Sequence, residues 1–329
     1  MKKKIIILGS TGSIGISTLS VVKRNIKSFE IILLTANKNY KKLAQQAKQF
    51  NAKNVLIRDK RYHLKLVKLL KRKNTNVYSG DVSISKIVKK KVDFTMSAIV
   101  GLAGLQPTID SIKVCKNLAI ANKETIICAW DILVKLVKKY NTKILPVDSE
   151  HFSIMELAKN TKDNDIEEII ITASGGPFLN KSIKKLNRIK PSEAINHPNW
   201  NMGKKISVDS ANLMNKVFEV IEANKMFSFN KKKYKVLIHP QSYVHSIIRF
   251  KNGLIKMILY NTDMKIPISN ILLGTKNNNK YVKKINAKLL SKVSFDEVDA
   301  NQFPSIKLVE KCLNLGPSTT TIVNSSNEV

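Results

Sequence analysis

Arginine is the scarcest of the common charged residues in this chain. Of 57 basic residues only six are arginine, and only 24 acids oppose them, leaving a formal net charge of +33 over 329 residues. A pI near 10 is the electrostatic footprint of many nucleic-acid binders. Specific phosphate and base recognition, however, favours the planar guanidinium. The lysines are spread along the whole chain, and stretches such as Lys276–Asn286 also abound in asparagine. No RNP-like aromatic motif or zinc finger accompanies them. The excess therefore reads as lysine on solvated faces, with only non-specific attraction to anions, and no specific nucleic-acid partner is expected. Cysteine is nearly missing: Cys115, Cys128 and Cys312 are too few and too scattered for a disulfide framework or a zinc pattern. A reducing, cytoplasmic setting follows as the expectation. No run of eighteen apolar residues exists, so no membrane span is predicted. The apolar run at the start, Ile5–Leu8, is too short for a signal peptide.

What is present is alternation. Candidate strands at Lys4–Leu8, Ile31–Thr35, Asn54–Ile57, Val92–Met96, Leu118–Ala121 and Lys143–Val147 are separated by amphipathic stretches, such as Ile14–Arg24 and Glu124–Tyr140. This pattern predicts an α/β fold opening with a Rossmann-like parallel sheet. After Asp148 the pattern becomes mixed. Glu167–Phe178 reads as a strand running into a glycine turn, and a polar stretch covers Leu179–Met202. Ser207–Phe227 reads as one helix, and Lys235–Asn261 as strands with a hairpin signal at Asn252-Gly253. The division predicted is a dinucleotide-binding domain over 1–147 and an α+β catalytic domain over 148–290.

Two constellations carry chemistry. Gly9, Gly12 and Gly15 stand between the first strand and the first helix, where glycines permit close approach to a pyrophosphate at a helix N-terminus. The end of the second strand, "TANKNYKK", offers no acid for a ribose 2′-hydroxyl but places Lys38 there. A carboxylate would repel a 2′-phosphate and lysine would attract it, so NADPH is expected over NADH. A solvated lysine is the plainer reading of Lys38. The second constellation is "PVDSEH". Ser149 could simply cap a helix starting near His151, with Glu150 close to its positive end. In an extended chain, alternatively, Asp148 and Glu150 share one face at the end of a strand, where a cation would relieve their repulsion. Glu219, stacked with Asn215 at i, i+4, could complete an all-oxygen site for Mg²⁺ or Mn²⁺.

The motifs "LGSTGSIG", "ANKET", "PVDSEH", "SGGPF", "HPNWNMGKKISVDSA", "MNKVFEVIEA" and "IHPQSYVHS" resemble, in order and spacing, those of the 1-deoxy-D-xylulose 5-phosphate reductoisomerase family. The resemblance implies NADPH contacts at Thr11, Gly12, Ser13, Ile14, Asn37, Lys38, Asn39, Asn122, Glu124 and Gly203. It implies metal ligands at Asp148, Glu150 and Glu219. Substrate contacts fall on Lys123, Ser149, Glu150, Ser174, His197, Ser210, Asn215, Lys216 and Glu219, with Lys123 and the three acids as the catalytic set. Ser174, Ser210, Asn215 and Lys216, with His197 nearby, would take the phosphate. Residues 175–202 would be a lid carrying Trp200. His239 and His245 read as structural. Asn37 replaces a common glycine, an exchange that asparagine's tolerance of positive φ would permit.

The activity implied is metal- and NADPH-dependent rearrangement and reduction of 1-deoxy-D-xylulose 5-phosphate to 2-C-methyl-D-erythritol 4-phosphate in isoprenoid synthesis, by a cytoplasmic homodimer without a membrane partner. The rivals are a metal-independent NADP-dependent dehydrogenase and an inactive nucleotide-binding remnant. None of the eight tyrosines has a lysine four residues on, which disfavours a short-chain dehydrogenase. Against the family pattern, residues 291–329 read as only the start of a helical region, with the family's C-terminal helical domain missing or truncated. An uncovered apolar face on Ile306–Gly316 is then expected.

Overall fold

The structure is a computed structural model and describes residues 1–71, 73–200, 203–274 and 285–328. It divides into two compact units. One comprises Met1–Val147 with residues 267–274, and the other Asp148–Ile266 with residues 285–328.

The first unit is built on a seven-stranded sheet, β1 (Lys3–Leu8), β2 (Phe29–Ala36), β3 (Asn54–Ile57), β4 (Asn76–Ser79), β5 (Val92–Ser97), β6 (Cys115–Ile120) and β7 (Lys143–Pro146). The spatial order is β4-β3-β2-β1-β5-β6-β7, and every pairing is parallel. Ile5, Ile6, Ile7 and Leu8 are all fully buried, as expected of a strand covered on both faces. Strand β4, "NVYS", was not anticipated: it is a short, polar, partly exposed edge strand with no apolar run to betray it. Helix α1 (Ser13–Arg24) buries Thr18, Leu19, Val21 and Val22 and ends on Lys23 and Arg24, which suit the negative end of its dipole. Helices α2 (Tyr40–Phe50), α3 (Leu105–Ile112) and α4 (Lys123–Tyr140) complete the parts that matter here. The chain reverses its direction of travel across the sheet between β1 and β5. Open α/β sheets bind ligands beyond the carboxyl ends of the strands at such a switch point.

The second unit holds a mixed sheet, β8 (Ile166–Ala173), β9 (Tyr234–Ile238), β10 (Val244–Phe250), β11 (Ile255–Leu259) and β12 (Asp296–Glu297), in the order β11-β10-β8-β9-β12. Only β8 and β9 run parallel. The β10–β11 hairpin turns at Gly253, whose φ of 85° demands glycine. Helices α5 (Ser149–Leu157), α6 (Lys204–Ala211), α7 (Met214–Phe227), α8 (Leu308–Leu315) and α9 (Pro317–Glu328) belong to this unit. Ile154 of α5 and Val220 and Ala223 of α7 pack on Ile169, Ile171 and Ile248 of the sheet.

Two expectations change here. The single helix expected over Ser207–Phe227 is two helices, α6 and α7. Leu213 takes a left-handed φ of 61° between them while burying its side chain in the core. Such a backbone costs about 1–2 kcal/mol, and burying the leucine offsets it on the same scale. Asn212 Oδ1 accepts from the Met214 N–H at 3.0 Å, so the new helix start gains a partner. The second change concerns the C-terminal segment. Phe303 and Cys312 are buried, and Ile306, Val309 and Leu313 pack on the core of the unit. Helix α9 is tied back through Asn327 to Asp209 at 2.9 Å and Glu328 to Lys205 at 3.2 Å. The expected bare apolar face on Ile306–Gly316 is thus largely covered, with Leu315 left exposed.

Candidate active site

In the first unit Gly9 leaves β1 with φ 76°, and a Cβ there would lie 2.8 Å from the Ala98 carbonyl oxygen just past β5. A Cβ on Gly15 would lie 2.4 Å from the Gly9 carbonyl oxygen. Only glycine lets strand, turn and helix close this tightly. Gly12 is the N-cap of α1 and supplies no side-chain cap, so the first-turn N–H groups of Ser13 and Ile14 face a ligand position. Thr11 and Ile14 are half-buried, and Gly12 and Ser13 exposed. Asn122 caps α4 by accepting from Thr125 N–H at 2.6 Å. Its amide also donates to the carbonyls of Gly101, at 2.9 Å, and Ile99, pinning the loop after β5. Lys123 and a buried Glu124 follow in the first turn. Asn37, Lys38 and Asn39 are exposed at the end of β2, and Asn39 caps α2. Asn37 is not among the residues with positive φ, so the backbone leniency invoked for it is not needed. The sites fit a dinucleotide with a phosphorylated ribose: a cradle free of side chains, a helix N-terminus and an exposed lysine.

In the second unit Asp148, Glu150 and Glu219 each direct a carboxylate oxygen to one spot, the three atoms lying within 4.8 Å of one another. The local geometry differs from both sequence-based readings. The cap of α5 is Asp148, not Ser149, and it accepts from Glu150 N–H at 3.3 Å. Glu150 therefore lies in a helical first turn, and no shared face of an extended chain brings it to Asp148. Glu219 comes from α7, where Asn215 Nδ2 donates to its Oε1 one turn earlier. Lys216 Nζ lies 2.5 Å from Glu150 Oε1 and 2.7 Å from Glu219 Oε2. Burial, then the neighbouring Glu219, pushes the Glu150 pKa up to about 8. Burial works against the Lys216 ammonium, but Glu150 and Glu219 together hold its pKa above the ordinary lysine value. Three crowded carboxyl groups share one ammonium, and hard oxygen donors in this number suit a small divalent cation.

The phosphate-side candidates stand close by in the same unit. The N–H groups of Asn199 and Trp200 donate to His197 Nδ1 at 3.1 and 3.0 Å, which puts the ring proton on Nε2. That proton points at Ser174 Oγ, 2.8 Å away, and Gly176 N–H reaches the same oxygen at 3.1 Å. With its lone pairs occupied, Ser174 keeps its hydroxyl proton for an outside acceptor. Burial, then Lys216, lowers the His197 pKa to about 4, so the ring is neutral at neutral pH. Asn215 and Lys216 sit in the first turn of α7, whose N-cap Leu213 offers no side-chain cap. The break at Leu213 thus places these donors at a helix N-terminus suited to an anion. Ser210 is buried near the end of α6, and Gly203 is the N-cap of that helix. In the expected lid, Asn199 Nδ2 donates to Pro240 O at 2.6 Å and Ser242 Oγ at 2.8 Å, and the Trp200 ring meets His245 edge-on at 5.9 Å. Residues 201 and 202 of that segment lie outside the described residues.

Some contributors went unremarked in the sequence. His151 of α5 donates from Nε2 to the Glu219 carbonyl at 2.8 Å and so ties α5 to α7. Its place beside "DSE" was the one available signal. Ser246 Oγ donates to Glu150 O at 2.9 Å. His239, between Ser294 O at 2.8 Å and Tyr243 N–H at 3.0 Å, has a structural role as expected.

A pH test follows. Glu150 has its folded-state pKa raised from 4.5 to about 8. Between those values the folded protein keeps a proton that the unfolded chain has released, so this group's stabilising contribution is lost as pH rises through the window. The stability of metal-free protein relative to its Glu150→Gln variant should therefore fall from pH 5 to pH 8, measured by urea denaturation. His197 and His245 are present in both proteins and cancel in the difference. A flat difference curve refutes the crowding argument.

The family model described as 1-deoxy-D-xylulose 5-phosphate reductoisomerase matches residues 5–130. Models of the family's C-terminal domains match residues 144–227 and 259–329. The last match overturns the expectation that the family's C-terminal domain is missing: residues 259–329, with α8 and α9, match it. A 1-deoxy-D-xylulose 5-phosphate reductoisomerase of Pelagibacter ubique is 49% identical over 328 residues, covering 99% of this chain and 84% of that protein. One from a Thermoanaerobacter species is 40% identical, with 99% and 86% covered. The solved Zymomonas mobilis enzyme in complex with NADPH is 35% identical, covering 100% of this chain and 86% of that one, with a TM-score of 0.92. A DOX-P reductoisomerase in complex with NADPH, fosmidomycin and magnesium is 34% identical, covering 99% and 83%, also at 0.92. With three family models spread over most of its length and relatives at this identity, the chain belongs to the 1-deoxy-D-xylulose 5-phosphate reductoisomerase family.

Proposed function

We propose that the second unit holds a divalent cation on Asp148, Glu150 and Glu219 and a phosphorylated ketose beside it, and that the first unit holds NADPH. The enzyme converts 1-deoxy-D-xylulose 5-phosphate to 2-C-methyl-D-erythritol 4-phosphate, a skeletal rearrangement to an aldehyde followed by hydride reduction to the alcohol. The observation that carries the site assignment is the convergence of three carboxylate oxygens within 4.8 Å. A bound Mg²⁺ or Mn²⁺ supplies Lewis acidity toward the ketone and neighbouring hydroxyl oxygens, and NADPH supplies the hydride.

The chain's own residues do the rest. Ser174, Ser210 and Asn215 offer neutral donors to the phosphate, and His197 orients the Ser174 hydroxyl. Lys216 is held by two of the carboxylates that would hold the cation, those of Glu150 and Glu219. A cation on those carboxylates would take over their neutralisation and leave the ammonium for the phosphate, so metal and phosphate are not rivals for charge. Lys123, at the start of α4, contacts substrate oxygens and offsets negative charge developing on them. The segment 175–202, with Trp200, excludes water and shields the aldehyde. Gly9, Gly12 and Gly15 cradle the pyrophosphate, with Thr11, Ser13, Ile14, Asn122, Glu124 and Gly203 around the cofactor. Asn37, Lys38 and Asn39 meet the 2′-phosphate.

Asp148→Asn, Glu150→Gln and Glu219→Gln should each lower turnover by at least about 100-fold, on the scale of several kcal/mol of lost charge stabilisation. NADPH affinity, read by its fluorescence, should hold. Turnover that survives exhaustive chelation would mean that these acids hold no working metal.

Lys38→Glu should weaken NADPH by roughly tenfold or more, about 1.4 kcal/mol, while NADH affinity stays nearly unchanged. An equal loss for both cofactors removes Lys38 from the 2′-phosphate site.

The protein acts as a homodimer in the cytoplasm. Strand β11 supports the first statement: it is a sheet edge with Leu254, Ile255 and Met257 exposed beside or within it, and such an edge is a template for pairing with another chain. The free thiols of all three cysteines fit a reducing compartment. Among the described residues no helix is long and apolar enough to cross a membrane. Sedimentation equilibrium at micromolar concentration should return twice the chain mass, and a monomer there contradicts the dimer.

A further inference from the structure

Tyr260 follows the exposed edge strand β11, yet its side chain is buried. Its ring packs between two partners, parallel to His245 at 4.0 Å and edge-on to Phe152 at 6.2 Å. Its main chain is fixed as well. The N–H donates to Tyr243 O at 3.0 Å, and the carbonyl accepts from His245 Nε2 at 3.2 Å. The hydroxyl is aimed at the metal-bearing turn, donating to the Ser149 carbonyl at 2.9 Å. Ser153 Oγ donates to the same carbonyl at 2.8 Å and lies 3.3 Å from the tyrosine oxygen.

Ser149 is the residue between Asp148 and Glu150. Its carbonyl belongs to the peptide that carries the Glu150 N–H, so fixing that oxygen fixes the plane from which Glu150 projects. The other side of Glu150 is held by Ser246 Oγ on its own carbonyl. The His245 ring that stacks on Tyr260 also meets the Trp200 ring edge-on at 5.9 Å. One side chain thus reaches both limbs of the site, the metal turn directly through its hydroxyl and the Trp200 segment by way of the His245 ring.

We propose that Tyr260 is a positioning residue that couples the metal-bearing turn Asp148–Glu150 to the Trp200 end of the substrate segment. It acts through Ser149 and His245 and touches neither metal nor substrate. The inference rests on the reading of Asp148, Glu150 and Glu219 as metal ligands. Its two arms are separable, because the hydroxyl can be removed without the ring.

The test uses Tyr260→Phe and Tyr260→Leu in the full chain. Mn²⁺ binding is measured calorimetrically without substrate, alongside kcat, KM for the ketose phosphate at saturating metal, and the thermal midpoint. Tyr260→Phe should weaken Mn²⁺ by roughly threefold to tenfold, at or below the lower end of what outer-shell partners contribute, with KM nearly unchanged. Tyr260→Leu should show the same metal defect and, in addition, a KM raised by about threefold or more. A purely structural role would lower the thermal midpoint and move neither quantity in this pattern. If Tyr260→Leu fails to fold, the nearly isosteric Tyr260→Phe still decides the metal arm. Mn²⁺ affinity of Tyr260→Phe within about twofold of the unmodified protein overturns the coupling. So does a KM for Tyr260→Leu no higher than that of Tyr260→Phe. An unmodified chain that takes up no Mn²⁺ fails one step earlier and overturns the metal reading itself, whereas the first two failures leave that reading standing.

Discussion

The second unit is organised around a repulsion. Asp148, Glu150 and Glu219 crowd their oxygens within 4.8 Å in a place where Glu150 and Glu219 are almost wholly shielded from water. Like charges at that separation in a low-dielectric setting do not coexist without a counter-charge. The fold answers with Lys216 across two of them, with Asn215 and Ser149 as donors, and with a geometry suited to a small hard cation. Lys216, Asn215 and Glu219 ride on one helix, so cation, anion donors and the third ligand move as one rigid piece. His151, in the first turn of α5, then ties that helix to α5.

The first unit solves a different problem, the approach of a bulky anion to a backbone. Its parallel sheet opens a crevice between β1 and β5 by its strand order alone. The glycines make the opening usable. Gly9 lies against Ala98 and Gly15 against Gly9 at separations that no Cβ could meet. Asn122 holds the loop after β5 and caps α4 in the same act, so the wall of the crevice and the helix that begins with Lys123 share one support.

The break at Leu213 shows how a local cost serves the site. A continuous helix through Ser207–Phe227 would place Asn215 and Lys216 in mid-helix, away from any positive helix end. The left-handed leucine ends one helix and starts another, and donor side chains then coincide with a positive helix end. The leucine tolerates this conformation because its side chain is buried in the core of the unit.

By itself the sequence determined the alternation that makes a parallel sheet, the glycine spacing that lets strand, turn and helix close tightly, and the acids whose oxygens converge. These are legible because they are local: they depend on residue type at short spacing and on strand and helix periodicity. It did not determine β4, whose polar residues are strand only because β3 lies beside them. Nor did it determine the helix break, since nothing in "SANLMNK" marks a left-handed leucine without the core that receives it. The relation of Asp148 to Glu150 was read from an extended chain and turned out to be a cap and a first turn, because a helix begins where the strand was thought to continue. The packing of residues 303–328 back onto their own unit was likewise unreadable in a segment whose periodicity shows an apolar face but not its partner. Tyr260 is the clearest case. It lies more than a hundred positions from Ser149, in a stretch with no motif, and its hydroxyl finds that carbonyl only because β10, β11 and α5 pack together. Contacts between distant residues carry no signature in either stretch alone, so the tertiary structure decided them.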